Sequence, residues 1–549
     1  MYLVDTNNLQ LLVGYKDVFS DEIPNLEEEI KNINMHKAIS IICELIRVRD
    51  AMCNPNSIFL KNIKIEFSIP FETVLKKKMC GIDPKSLEEI YSNPLFRKDV
   101  HIISVQMLLI LLKEFIQYGN YETLDKIEYE ITDEDYKVII RLQLAVAEEI
   151  NQKHSKEIDK NHFLYSTYHL NYQRNVAYEF SRMYYMMEKL STNINNFDID
   201  VRKEYKNYYS DFTRKYEITP TEYLLLLFSE LEVYYSNING LIYNKMWRNV
   251  QHIYEKTNKK EKINKLIEIL SQQAIDLKKW AVESKDEEWN FSKFFEFPFI
   301  KDNKENYISI SDITLRNAFF EKIYWLIRDC YPPNDSRAMA FFGRLFEKYV
   351  QELTESVSQD EYMYIKEFVY GNTKKKSSDA YIRKDDNLLV IEVKGFSVLL
   401  ECMTKNKNIQ KNLKKIFINP IIQADTCLAQ VINEKQEFKG IDEAYIISVT
   451  MDNINAVPEY YDRIHKDIEK EKKCMKSKYY FNFNIEEYEM LMYLIEQKVD
   501  IFSLLKEYYN NDNLTPFSNY LLGDYPHIEM CTFIEDLYQE ATERAKEFY

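Results

Sequence analysis

The chain has 549 residues, 46% of them apolar and 29% charged, with 43 tyrosines and 31 phenylalanines. That balance excludes a mainly disordered or low-complexity protein and, at roughly 150 residues per domain, allows three or four domain-sized units. Nine glycines occur and the closest two, Gly371 and Gly395, stand 24 positions apart, which excludes both GxGxxG and GxxxxGK phosphate-binding turns. The net charge is −16, yet the window from Gly371 to Pro420 holds eleven Lys and Arg against five Asp and Glu, a basic stretch inside an acidic protein.

No apolar run approaches the ~20 residues of a membrane span; Met107 to Leu112 and Leu224 to Phe228 are among the longest. Met1 to Gln10 lacks the basic-then-apolar layout of a signal peptide, so a cytoplasmic protein is expected. The eight cysteines form no CxxC pair and no disulfide-like framework, which fits ordinary buried thiols.

In chain order, apolar residues at three-and-four spacing predict helices over His36 to Met52, His101 to Tyr118, Asp133 to Asn151, Pro220 to Tyr235 and Lys259 to Glu283. Thr219-Pro220-Thr221-Glu222 suits a helix start. Near Trp289 the pattern changes to short aromatic and β-branched runs, Phe295 to Ile300 and Tyr307 to Ser311, expected as a hairpin. Asp312 is expected to cap a helix to about Arg328, stopped by Tyr331-Pro332-Pro333. A further helix from Ser336 to Val357 puts Phe342, Leu345, Phe346, Tyr349, Val350 and Leu353 on one stripe, with Glu347 off its centre. Then come a strand over Tyr362 to Tyr370, a hairpin of Asp379 to Arg383 and Asn387 to Val393, helical sequence over Asn406 to Asn433, and a strand over Ala444 to Thr450. Ile485 to Tyr509 and Ile528 to Phe548 read as helices.

The hairpin carries the chemistry. Residues two apart on a strand share a face, so Glu392 and Lys394 point the same way while Val393 enters the core. Asp379, on the neighbouring strand, reaches the same end of the sheet, and two carboxylates there offer hard oxygen ligands to Mg²⁺ or Mn²⁺. Phosphodiester hydrolysis needs an acidified water, charge neutralisation and help for the leaving oxygen, all of which such a cation supplies. Lys394 would orient the water or steady the transition-state charge, and the Val393 carbonyl would add a ligand.

Asp379, twelve intervening residues and Glu392-Val393-Lys394 resemble the PD-(D/E)XK nuclease superfamily, with Ser378 in place of the eponymous proline. The resemblance covers about residues 296 to 505. It implies that Glu347, in Gly343-Arg344-Leu345-Phe346-Glu347-Lys348-Tyr349-Val350, is the carboxylate of the preceding helix, and that Gln423, or failing it Gln430, is the polar residue of the following one. The expected fold class is therefore α+β: a mainly α-helical recognition or regulatory domain over 1–285, a restriction-endonuclease-like α/β core with a central mixed sheet flanked by helices over 286–505, and a helical C-terminal extension over 506–549. Half-exposed hairpins also alternate acidic and basic residues as plain cross-strand pairs, but the apolar run Leu388 to Ile391 implies burial, where an unpaired Glu392 would be costly.

Lys374, Lys375 and Lys376 before Asp379, and Lys405, Lys407, Lys411, Lys414 and Lys415 after the motif, are expected to line a groove for a nucleic-acid backbone; each alone is a solvated surface charge. His154, His162 and His169 do not have zinc spacing. Arg248 to His252 is similar to the Arg and His pair of HEPN ribonucleases but is one residue short, and Tyr184, Tyr185, Tyr208 and Tyr209 read as packing before base stacking. The expected activity is Mg²⁺-dependent cleavage of DNA in bacterial restriction or anti-phage defence, by a homodimer or larger assembly, with a partner protein, ATPase or activating ligand acting through the helical domain. A ribonuclease and a non-catalytic nucleic-acid-binding scaffold are the alternatives.

Overall fold

Apolar stripes at helical spacing organise the first half of the protein, and a mixed sheet organises the second. The computed structural model describes residues 14–53, 103–126, 131–154, 175–235, 246–250, 259–358, 361–372, 374–395, 411–412, 414–451, 458–511, 516–525 and 527–546. The principal N-terminal helices are α1 (Met35–Cys53), α2 (Val105–Tyr118), α3 (Asp133–His154), α4 (Val176–Tyr184) and α5 (Pro220–Tyr235). α5 starts where its sequence indicates: Thr219 Oγ1 accepts from the Glu222 amide at 3.0 Å while the Glu222 carboxylate accepts from the Thr219 amide at 2.9 Å.

Two expectations shift here. The helix expected over Lys259 to Glu283 is two helices, α6 (Lys260–Leu270) and α7 (Ala274–Glu283), interrupted by strand β1 (Ser271–Gln273). β1 pairs in parallel with β2 (Phe299–Lys301), so tertiary pairing overrides a helical period that continues on both sides. β2 and β3 (Tyr307–Ser309) form the expected antiparallel hairpin. The helix after it is capped by Ser311, whose Oγ accepts from the Thr314 amide at 3.2 Å, because the Asp312 carboxylate is taken one turn on by Arg316 Nε at 2.7 Å.

The second half opens with α8 (Ser336–Val357), capped by Asp335. Strands β4 (Met363–Lys366), β5 (Val369–Tyr370), β6 (Lys375–Lys376), β7 (Ala380–Lys384) and β8 (Asn387–Lys394) follow. The strand expected over Tyr362 to Tyr370 is split: β4 joins the main sheet, while β5 pairs with β6 as a separate small hairpin. β7 and β8 are joined by Asp385-Asp386, with Asp385 at φ 54°, a left-handed conformation that aspartate tolerates in a two-residue turn. Then come α9 (Asn419–Val431), β9 (Glu443–Thr450), α10 (Pro458–Glu471), β10 (Ser477–Asn484), α11 (Ile485–Glu496), α12 (Ile501–Asn510) and α13 (Thr532–Lys546). The main sheet runs β10-β9-β8-β7-β4, parallel among β8, β9 and β10 and antiparallel elsewhere. The architecture is α+β, with helices on both faces of a mixed sheet. Among the described residues no helix is long and apolar enough to cross a membrane.

Alternation along each strand divides the core. Leu389, Ile391 and Val393 of β8 and Tyr445, Ile447 and Val449 of β9 enter a large core shared with α8 and α11. Leu388, Val390 and Ile446 face the other way, onto Ile421 and Leu428 of α9 and Ile468 of α10. The large core is continuous from Tyr15 to Ala541. At its centre the buried Arg182 of α4 makes a two-pronged pair with the buried Glu489 of α11, at 2.9 and 3.1 Å, and Tyr349 of α8 donates to the same carboxylate at 2.6 Å. α13 closes on α4 through Tyr184 and Glu540 at 2.9 Å, and on the helical segment Tyr185–Leu190 that continues it through Glu188 and Arg544 at 2.8 Å.

A second buried group lies at the end of α1. Asp50 is fully enclosed, and its Oδ2 accepts from Tyr234 Oη and from the Asp312 amide, both at 2.8 Å. Burial, with the nearby Asp312 charge, pushes its carboxyl up to about 8 from an ordinary 3.8. A raised folded-state value means that the protonated form is the one folding favours. The stability it contributes is present below the ordinary value and is lost as pH rises through about 8. Asp50→Asn is therefore expected to flatten the fall in unfolding free energy between pH 6 and pH 9, measured by urea titration; an equal fall in both proteins would contradict this account of Asp50.

Candidate active site

Backbone pairing sets the first distances. β7 and β8 are antiparallel with Ala380 opposite Ile391, so Asp379, the residue before β7, comes beside Glu392. Asp379 Oδ2 accepts from the Val393 amide at 2.6 Å, and its carbonyl accepts from Gln351 Nε2 of α8 at 3.1 Å. Glu392 is 2% exposed; its Oε1 accepts from Lys394 Nζ at 2.7 Å, while its Oε2 is buried with no hydrogen-bond partner among the described residues. Val393 points into the core, as the alternation predicts.

Glu347 arrives from α8, half-buried, with Arg344 Nη1 2.7 Å from its carboxylate. Its charge acts on Asp379, Glu392 and Lys394 alike. Burial raises the Asp379 carboxyl well above the usual range, and the Glu392 and Glu347 charges push the same way against the Val393 amide. Glu392 is also raised by burial, opposed by Lys394. Burial works to lower Lys394, but Glu392, Asp379 and Glu347 outweigh it, so its ammonium stays charged.

These donors suit a hard divalent cation: carboxylates at the end of a strand, one with a buried oxygen left over. Among the described residues no three His, Cys, Asp or Glu side chains form a group that could hold a metal ion. Lys394 and Arg344 neutralise two of the three carboxylates as they stand.

The other expected residues separate into groups. Gln423 and Gln430 lie exposed on α9, and neither hydrogen-bonds to the carboxylates. Lys374 and Lys375 are exposed on the β5–β6 hairpin, and Lys376 pairs with Glu367 and with Asp200 of the helical half, both at 3.2 Å. Lys411 is exposed, and Lys414 pairs with Glu471 at 3.0 Å. Lys405 and Lys407 lie outside the described residues, as do His162, His169, His252 and the side chain of His154. Arg248 is engaged by Glu230 at 2.7 Å and Ser309 Oγ at 2.9 Å. Tyr184 and Tyr208 are core residues, Tyr185 donates to Glu352 of α8, and Tyr209 is half-buried.

Sequence reasoning missed Gln351 and Arg344. The signal for both was present, since they lie one helical turn after and before Glu347 on α8. No family model, curated protein or solved structure matches the chain.

Proposed function

We propose that the chain is a metal-dependent nuclease that hydrolyses phosphodiester bonds of DNA with Mg²⁺ or Mn²⁺. The observation that carries this reading is the meeting of Asp379, Glu392 and Lys394 at one end of the sheet, with one Glu392 oxygen buried and unpartnered among the described residues. Asp379, Glu392 and the Val393 carbonyl would hold the cation, with Glu347 as a further donor on leaving Arg344. The cation supplies an acidified water and neutralises charge on the phosphorane-like transition state. Lys394, kept charged by its carboxylate neighbours, orients that water or steadies the developing charge. The Val393 amide and Gln351 fix Asp379, so its carboxylate is positioned before substrate arrives.

The resemblance adds a setting in bacterial restriction or anti-phage defence, and cutting both strands with one site per chain favours a homodimer. RNA hydrolysis needs the same chemistry and is separated by substrate. Asp379→Asn is expected to abolish cleavage while leaving DNA binding intact in a gel-shift titration. A wild type that binds DNA but cuts no substrate with either metal would support the scaffold reading.

The exposed β5–β6 lysines supply the backbone contacts in this proposal. Joint Lys374→Ala and Lys375→Ala substitution is expected to weaken binding equally across DNA sequences. The slope of log affinity against log salt should become shallower by roughly 0.9 per lost phosphate contact. Fluorescence anisotropy at several salt concentrations checks it; an unchanged slope would remove these lysines from the interface.

A further inference from the structure

Glu392 does not stand alone on its face of the sheet. Across the parallel ladder, Glu392 of β8 registers with Ser448 of β9, and Ser448 with Asn482 of β10. The three side chains project side by side, about 5 Å apart from strand to strand. One step back toward the strand starts, the same face is apolar: Val390, Ile446 and Tyr480 sit in the smaller core. The change from apolar to polar is therefore abrupt and spans three strands.

Every member of the polar row has a hydrogen-bonding atom that no partner among the described residues meets. Ser448 is fully buried and its Oγ has no partner; Asn482 Oδ1 is buried without one; Glu392 Oε2 is the same. Ser378, 2% exposed and next to Asp379, adds a fourth unpartnered oxygen; its hydroxyl lies near Glu392, but no hydrogen bond of ordinary geometry joins them. A buried hydroxyl without a partner is costly, and one such atom is commonplace. Three such atoms beside the unmet oxygen of the candidate metal-holding carboxylate are a pattern that calls for a polar occupant.

The donor set names the occupant. Only Glu392 in the row is charged; the Ser448 hydroxyl and the Asn482 amide are neutral oxygens, weaker metal ligands than a carboxylate and ready partners for metal-bound water. Mg²⁺ and Mn²⁺ sites built on few carboxylates retain several bound waters, and those waters need acceptors and donors around them. We infer that Ser448 and Asn482 are positioning residues that hold the water shell of a divalent cation bound at Glu392, reaching the metal through its waters. The inference rests on the metal site proposed above and assigns its far wall to β9 and β10.

The test is calorimetric titration of Mn²⁺ alone into the full chain, with thermal melts recorded with and without the metal. The wild type, Glu392→Ala, Ser448→Ala and Asn482→Ala are compared. Ser448→Ala and Asn482→Ala are each expected to weaken Mn²⁺ binding about 10–100-fold, the range for outer-shell partners of a metal site. Without metal, Ser448→Ala should melt at or above the wild-type temperature, since it deletes an unpaired buried hydroxyl, and its gain in melting temperature on adding Mn²⁺ should shrink. Wild-type Mn²⁺ affinity in both variants, with binding lost in Glu392→Ala, would overturn the inference and leave the metal site standing. A metal-free Ser448→Ala protein that melts below the wild type would overturn it too, because the hydroxyl would then be satisfied within the protein. Absence of Mn²⁺ binding by the wild type would overturn both readings together.

Discussion

Arg182→Ala is expected to destabilise the protein by about 3–5 kcal/mol, the cost of leaving a buried charge uncompensated. Arg182 and Glu489 are 2% and 0% exposed, and the guanidinium grips both carboxylate oxygens. Removing the arginine leaves the Glu489 carboxylate in the core with, among the described residues, only the Tyr349 hydroxyl hydrogen-bonded to it. Replacing both partners with apolar side chains of similar volume, as in Arg182→Met with Glu489→Leu, removes the stranded charge. That double variant should recover most of the loss, as buried pairs elsewhere do when exchanged whole. Urea unfolding of the two single variants and the double variant checks this. Additive losses would show that the pair is not the unit that α4 and α11 share. The location gives the effect reach, because Tyr349 is on α8, the helix that also carries Glu347 and Gln351.

Glu392→Ala is expected to lower the cleavage rate by about 10²–10³-fold or more, the scale on which removal of one stabiliser of transition-state charge is felt. Glu392 is the most deeply placed of the site carboxylates and the one with an oxygen to spare. The same environment predicts a pH dependence. Asp379 and Glu392 are both held above the ordinary carboxylate range, Asp379 strongly, so each stays protonated further up the pH scale and must lose its proton to bind a cation. Cleavage should therefore rise with pH through those raised values, and a higher metal concentration should move the rise to lower pH, since metal and protons compete. The stability of the metal-free protein runs the other way. Groups with raised folded-state values contribute stability below their ordinary range, and that contribution is lost as pH rises through the folded values. Added Mn²⁺ should accordingly raise the melting temperature more at pH 8 than at pH 6. An equal increase at both would contradict the assignment.

Much of the C-terminal architecture was legible in the sequence, for local reasons. The β7–β8 hairpin follows from period-two alternation around Asp385-Asp386, and once it is drawn Asp379 must meet Glu392. α8 was legible because its stripe of Phe342, Leu345, Phe346 and Tyr349 is strictly helical. What escaped depended on pairings between distant segments. Ser448 and Asn482 become neighbours of Glu392 only through the register of two parallel ladders, which no local turn fixes. β10 itself went unassigned although Tyr479 to Asn484 is rich in aromatic residues. Arg182 and Glu489 lie 307 positions apart. The break at Ser271 is likewise imposed by β2 from outside, against a local pattern that favours helix.

In the proposed site Glu392 and Asp379 hold a cation that cuts phosphodiester bonds. The most direct measurement is incubation of the full chain with supercoiled plasmid, linear duplex, single-stranded DNA and RNA, in Mg²⁺, Mn²⁺ or EDTA, beside Glu392→Ala. Metal-dependent cutting of DNA that EDTA stops and Glu392→Ala lacks is the predicted result. Cutting that persists in EDTA or in Glu392→Ala would contradict it.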